Sequence, residues 1–161
     1  QAPSAASDGK TDAVIERKNQ LASQLAQIEK QSQALQGGPK KRYIGPATKE
    51  VSFARYYDKM RRTIELTGTE NFPQAGGEKL YGKLTMVITV SSQGELLSTE
   101  VASSSRNPLL DERAVAIVRS AGPFDPFGAK MRRQADQIVV VSRFMFTRDD
   151  TLSTRMLAPD Q

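Results

Sequence analysis

Residues 83–103 read KLTMVITVSSQGELLSTEVAS. Leu84, Met86, Ile88 and Val90 alternate with Lys83, Thr85, Val87, Thr89 and Ser91, and a sustained period of two predicts a half-buried strand. Ser92-Gln93-Gly94 is a turn in which Gly94 supplies positive φ. Leu97, Thr99, Val101 and Ser103 then alternate with Ser98, Glu100 and Ala102, so the stretch predicts an antiparallel hairpin.

Working outward, Pro108 opens a helix in the first-turn position, where its missing N–H costs nothing. Asp111 and Glu112 sit early and Arg119 late, matching the helix dipole. Leu110, Ala114, Ile117, Val118 and Ala121 form its buried stripe, and Gly122-Pro123 stops it. Phe124-Asp125-Pro126-Phe127 is a stiff turn whose two rings cover one end of the sheet. Residues 137–147 (QIVVVSRFMFT) make the strongest strand of the chain. Ile138, Val140, Phe144 and Phe146 share one face, and Val139, Val141, Arg143 and Met145 the other. This strand is long, β-branched and carries one charge. At a sheet edge it is an aggregation liability or a docking site for another strand.

Upstream, a helix over 48–66 buries Phe53, Tyr57, Met60 and Ile64, with Arg55, Lys59 and Arg62 toward solvent. Thr48 is its expected N-cap and Gly68 its expected stop. Residues 1–10 are small and polar and read as disordered. Val14, Leu21, Leu25, Ile28 and Leu35 make a thin apolar stripe over 11–36, interrupted at Lys18 and Ser32. That predicts an exposed helix, marginal alone and weakly self-associating, ended by Gly37-Gly38-Pro39. The expected fold class is therefore α+β: a small three-stranded antiparallel sheet packed with two helices, preceded by an extended N-terminal helix and linker. The organisation is 1–47 for the disordered start, exposed helix and basic linker, 48–148 for the domain, and 149–161 for a flexible tail.

Composition limits the chemistry. The 161 residues include no Cys, His or Trp, which excludes a thiol nucleophile, an imidazole base and ordinary zinc or haem ligation. The remaining candidates for catalysis are poor. Asp111 and Glu112 diverge around their helix, Asp149-Asp150 lies at a fraying end, and Ser103-Ser104-Ser105 has no base beside it. No enzyme activity, metal or cofactor is expected. The net charge is +5, and residues 37–66 hold all of it, with eight basic against three acidic groups. A solvated basic stretch, an anionic surface such as lipid, and nucleic acid are the three readings of that excess. The linker context favours the first, and no nucleic-acid partner is expected.

The stretch from Phe72 to Thr147 resembles the C-terminal domain of TonB-family energy transducers. Phe72-Pro73 with Ala75 stands where the family has Tyr-Pro-x-x-Ala, and Tyr81-Gly82-Lys83-Leu84 resembles the opening of its first strand. Gln93-Gly94 stands for the Asp-Gly turn and Val101-Ala102-Ser103-Ser104-Ser105 for the end of the second strand. Leu110-Asp111-x-x-Ala114 matches the helix start, and Phe124-Asp125-Pro126-Phe127 is similar to Phe-x-Pro-Phe-Pro. Arg106 stands where Gly is usual and Gly128 replaces the last Pro.

The resemblance implies a periplasmic domain of a protein anchored in the inner membrane by an N-terminal helix absent from this chain, which begins Gln1-Ala2-Pro3. It implies as partners the TonB box of TonB-dependent outer-membrane receptors and, through the anchor, a proton-driven inner-membrane motor of the ExbB/ExbD type. It also implies homodimers by strand exchange. The box would add as a strand to 137–147, along Gln137, Val139, Val141, Arg143 and Met145, with Thr69, Glu70, Asn71, Phe72 and Pro73 close by. Ladder hydrogen bonds are largely blind to side chains, so one domain can serve several receptors. The expected function is transfer of proton-motive-force-derived mechanical energy for nutrient uptake, siderophores for example. The alternative is a TolA-like or other cell-envelope linker or secretion protein carrying a similar domain.

Overall fold

Alternating hydrophobic strands need a cover for their apolar face, and the intervening helical segments supply it. The computed structural model describes residues 4–36 and 38–158. In chain order the elements are α1 (Ser4–Gln36), β1 (Lys41–Ile44), α2 (Val51–Glu70), β2 (Gln74–Ala75), β3 (Glu78–Lys79), β4 (Gly82–Ser91), β5 (Leu96–Ser103), α3 (Pro108–Ala121), α4 (Ala129–Gln134), β6 (Gln137–Thr147) and β7 (Thr151–Leu157). The chain divides into two units at Lys40/Lys41.

The first unit is α1, a helix of 33 residues. Val14, Leu21, Leu25 and Ile28 are all more than half exposed, as the interrupted stripe predicts. The helix starts at Ser4, so most of the stretch read as disordered is helical; residues 1–3, and Gly37 of the expected stop, lie outside the described residues. Among the described residues no helix is long and apolar enough to cross a membrane.

The second unit departs from the expected sheet. Instead of three antiparallel strands there are five in a mixed sheet, ordered β1-β6-β4-β5 with β7 also on β6. β4 and β5 form the predicted hairpin, and β4 pairs with β6 from Gly82↔Phe146 to Ser91↔Gln137. The two added strands come from segments read as linker and tail. β1 runs parallel to β6 over Lys41↔Gln137 to Ile44↔Val140, and β7 runs antiparallel over Thr151↔Thr147 to Leu157↔Val141. Between them they occupy the whole side of β6 that faces away from β4.

α2 and α3 cover the face formed by Leu84, Met86, Ile88, Val90, Ile138, Val140, Phe144 and Phe146, each nearly free of solvent. Phe53, Tyr57, Met60 and Ile64 are the buried stripe of α2 as read. Burying each such side chain contributes about 1.5–3 kcal/mol, so this layer dominates folding. Gly68 does not stop α2. It lies within the helix, where an added Cβ would come 2.3 Å from Leu152 Cδ2, so its lack of a side chain lets β7 approach. Thr48 does not cap α2 either, because its Oγ1 accepts from Gly45 N–H in the preceding turn. α3 is capped by Asn107, whose Oδ1 accepts from Leu109 and Leu110 N–H. The turn at Gly94 (φ 88°) is locked by the 124–127 loop: an added Cβ would come 2.1 Å from Phe124 O. Phe124 N–H donates to Gly94 O and Phe127 N–H to Ser92 O, and Phe127 is buried at that end of the sheet.

Candidate functional site

A domain without reactive side chains can still act through its backbone, so the accessible rungs of the sheet are the first question. Strand 137–147 is not an edge. One of its sides pairs with β4, and the other is shared by two strands. Gln137 and Val139 lie at rungs occupied by β1, and Val141, Arg143 and Met145 at rungs occupied by β7. Periodicity told which face each side chain takes but not which strands flank the backbone. The outer side of β5 carries no partner strand among the described residues.

The two covering strands are held differently. β1 has one buried residue, Ile44, and one ion pair, Arg42 Nη2 to Glu50 Oε1 at 2.5 Å. The Arg42 guanidinium also lies 5.1 Å from the centroid of the Phe53 ring. That hydrogen bond, above other causes, holds the Glu50 carboxyl below its ordinary 4.5.

β7 buries Leu152 and Thr154. Leu152 N–H donates to Thr69 Oγ1 (3.1 Å), and Thr154 N–H to Glu65 Oε2 (2.7 Å). These are β7 groups facing away from β6, so side chains of α2 close an edge that would otherwise be exposed. Asp149 and Asp150, read as a fraying end, form the β6–β7 turn. Asp150 (φ 63°) accepts from Lys79 Nζ and Tyr81 Oη, both at 2.7 Å. The Lys79 bond first, then the Tyr81 bond, keeps its carboxyl below the usual range. One rung is unfavourable: Arg143 stands opposite Arg155, and Arg143 Nε is buried without a hydrogen-bond partner.

The segment 69–73 lies at the β7 end of β6. Phe72 and Pro73 are buried, with the Phe72 ring 5.7 Å from Phe146 and from Tyr81. Thr69 is spent on Leu152, while Glu70 and Asn71 are exposed. The expected segment is thus brought beside β6, with two of its five residues displayed. The serines at 104 and 105 are structural. Both hydroxyls donate to Asp111, whose carboxylate burial would push up but which these bonds hold below 3.8. Arg106 adopts φ 72° in place of the family's usual Gly, with its N–H on Ser104 Oγ.

Residues 72–147 match the family described as Gram-negative bacterial TonB protein C-terminal. This part of the chain is similar to a TonB C-terminal domain. That family consists of non-catalytic interaction domains of the Gram-negative periplasm, which generally engage outer-membrane receptors. No curated protein and no solved structure matches the chain. The match spans the β4–β5 hairpin, α3 and β6, whereas β1, α2 and β7 lie outside it. Sequence reasoning missed both strands that cover β6. The available signals were the short β-favouring pair Tyr43-Ile44 and the alternation of Leu152, Thr154 and Met156.

Proposed function

We propose that the chain is the periplasmic part of a TonB-type energy transducer, which captures the TonB box of outer-membrane receptors by strand addition and transmits force to them. The observation that carries this reading is the TonB match over 72–147. The force would originate in an inner-membrane motor of the ExbB/ExbD type and serve nutrient uptake, for example of siderophores.

Strand addition to β6 requires exchange. Gln137 and Val139 become available when β1 leaves, and Val141, Arg143 and Met145 when β7 leaves. β1 is the easier strand to replace: it has four residues and one ion pair. Each ladder bond has a net worth of about 1 kcal/mol, and an incoming strand restores what β1 gives up. Side-chain contacts then decide the balance, which suits a weak and reversible grip. Pulling in shear loads the rungs together, so a weak grip still resists force.

The test is titration of a TonB-box peptide into the isotopically labelled chain. Amide shifts concentrated at 137–140 and 41–44 are the expected result. Shifts at 141–147 with 151–157 move the exchange to β7. An absence of shifts anywhere in β6 overturns strand addition. Tyr43→Pro disfavours the four-residue β1 and is expected to tighten peptide binding. Replacement of Val141 by Pro is not a clean test, because it would break an interior strand.

A further inference from the structure

A groove of about 710 Å³ runs between α2, the 123–126 loop and α4, on the helical side of the domain. Its floor is apolar. Met60 and Met131 are both about 2% exposed, and Tyr56 and Phe124 line the walls. Methionine floors adapt to varied side chains. The loop wall is preorganised: Tyr56 Oη donates to Asp125 O at 2.7 Å, and Phe124 N–H is tied to Gly94 O. A wall already ordered costs little further entropy on binding.

The rim is cationic. Its acids are already engaged, Asp125 by Lys59 (2.5 Å) and Glu50 by Arg42. Arg55 and Lys130 are exposed, and no ion pair satisfies either among the described residues. α4, which contributes Lys130 to the rim, carries no acid. Along the chain this is hidden, because residues 67–161 balance at eleven basic and eleven acidic groups. Tyr56 meets Phe127 edge-on at 5.2 Å, so its ring is committed to packing rather than offered to a nucleobase. A concave, stiff-walled slot also suits one inserted side chain better than a lipid surface does.

We propose that this groove docks an acidic, extended peptide segment of a partner protein, with one apolar side chain on the Met60–Met131 floor and flanking carboxylates on Arg55 and Lys130. The site lies apart from β6, so it does not depend on strand addition.

Fluorescence anisotropy on the full chain tests it, with labelled EDLFDE as the probe and QNLFNQ as its uncharged counterpart. The acidic peptide should bind about tenfold tighter or more, and the advantage should shrink as salt rises. Arg55→Glu with Lys130→Glu should abolish that advantage while leaving thermal unfolding unchanged. Tyr43→Pro should have no effect on it. Equal binding of the two peptides, or insensitivity to the charge reversal, overturns the proposal. So does recruitment to phosphatidylglycerol vesicles without peptide binding, or a self-association that excludes the peptide.

Discussion

β1 and β7 cover adjacent stretches of the same side of β6, yet they are built for different persistence. β7 has seven residues, joined to β6 by a three-residue turn, 148–150. Its outward N–H groups at Leu152 and Thr154 are taken by α2, and Asp150 pins its turn to Lys79 and Tyr81. β1 has four residues, buries Ile44, and sets Arg42 on Glu50 and against the Phe53 ring. Paired backbone alone does not make a strand permanent. The side chains that close its far edge do, by giving buried donors a partner that an intruding strand would have to replace.

Four measurements would break or sharpen this contrast. Leu152→Ala opens a cavity beneath Gly68 and should cost about 2–4 kcal/mol in urea unfolding. A loss below about 1 kcal/mol would mean that β7 is only laid against α2. Glu65→Ala strips the acceptor from Thr154 N–H and should cost about 1–2 kcal/mol. Hydrogen exchange at the Thr154 amide should accelerate in this variant, and an unchanged rate would show the cap to be idle. Arg42→Ala should cost only about 0.5 kcal/mol, since the pair is partly exposed. Its signature should be faster exchange at 41–44 with 151–157 unaffected, and equal acceleration of both strands would erase the contrast.

The smallest effect concerns acid. Glu50 and Asp150 both have folded values below their ordinary 4.5 and 3.8, chiefly through hydrogen bonds from Arg42 and Lys79 respectively. Their stabilisation is present above those ordinary values and is lost as pH falls through the lower folded ones. Amide exchange followed from pH 7 down to about 2.5 should show both strands loosening only on the acid side of the ordinary carboxylate range. Loosening near neutrality would assign the effect to other groups.

Much of the domain was legible because its signals are local. The alternation Leu84-Met86-Ile88-Val90, the i, i+4, i+7 spacing of Phe53, Tyr57 and Met60, and Pro108 at a helix start each rest on the geometry of one element. Of the candidate site, the face taken by each β6 side chain was readable, but the neighbours of β6 were not. Four residues after Gly37-Gly38-Pro39 are too few for a period to register. The alternation in β7 is blurred by Thr154, a polar residue at a buried position that is tolerable because Glu65, 89 residues earlier, accepts from it. Gly68 looked like a helix stop because glycine's commonest use near a helix end is local, whereas its use here is to admit Leu152.

What the sequence by itself determined was the β4–β5 hairpin, β6 and the helices α2 and α3 with their buried faces, and the absence of imidazole and thiol chemistry. Those follow from periodicity and residue type, which need no knowledge of distant neighbours. Tertiary structure alone decided that β6 is interior, that linker and tail become its flanking strands, and that Arg55 and Lys130 share a groove. The β1–β6 pairing and the meeting of Arg55 with Lys130 join residues far apart in the chain, and β7, a hairpin neighbour of β6, is fastened by the distant α2. Such pairings arise when backbone donors and apolar surfaces all find partners at once, a condition on the whole fold that no single segment encodes.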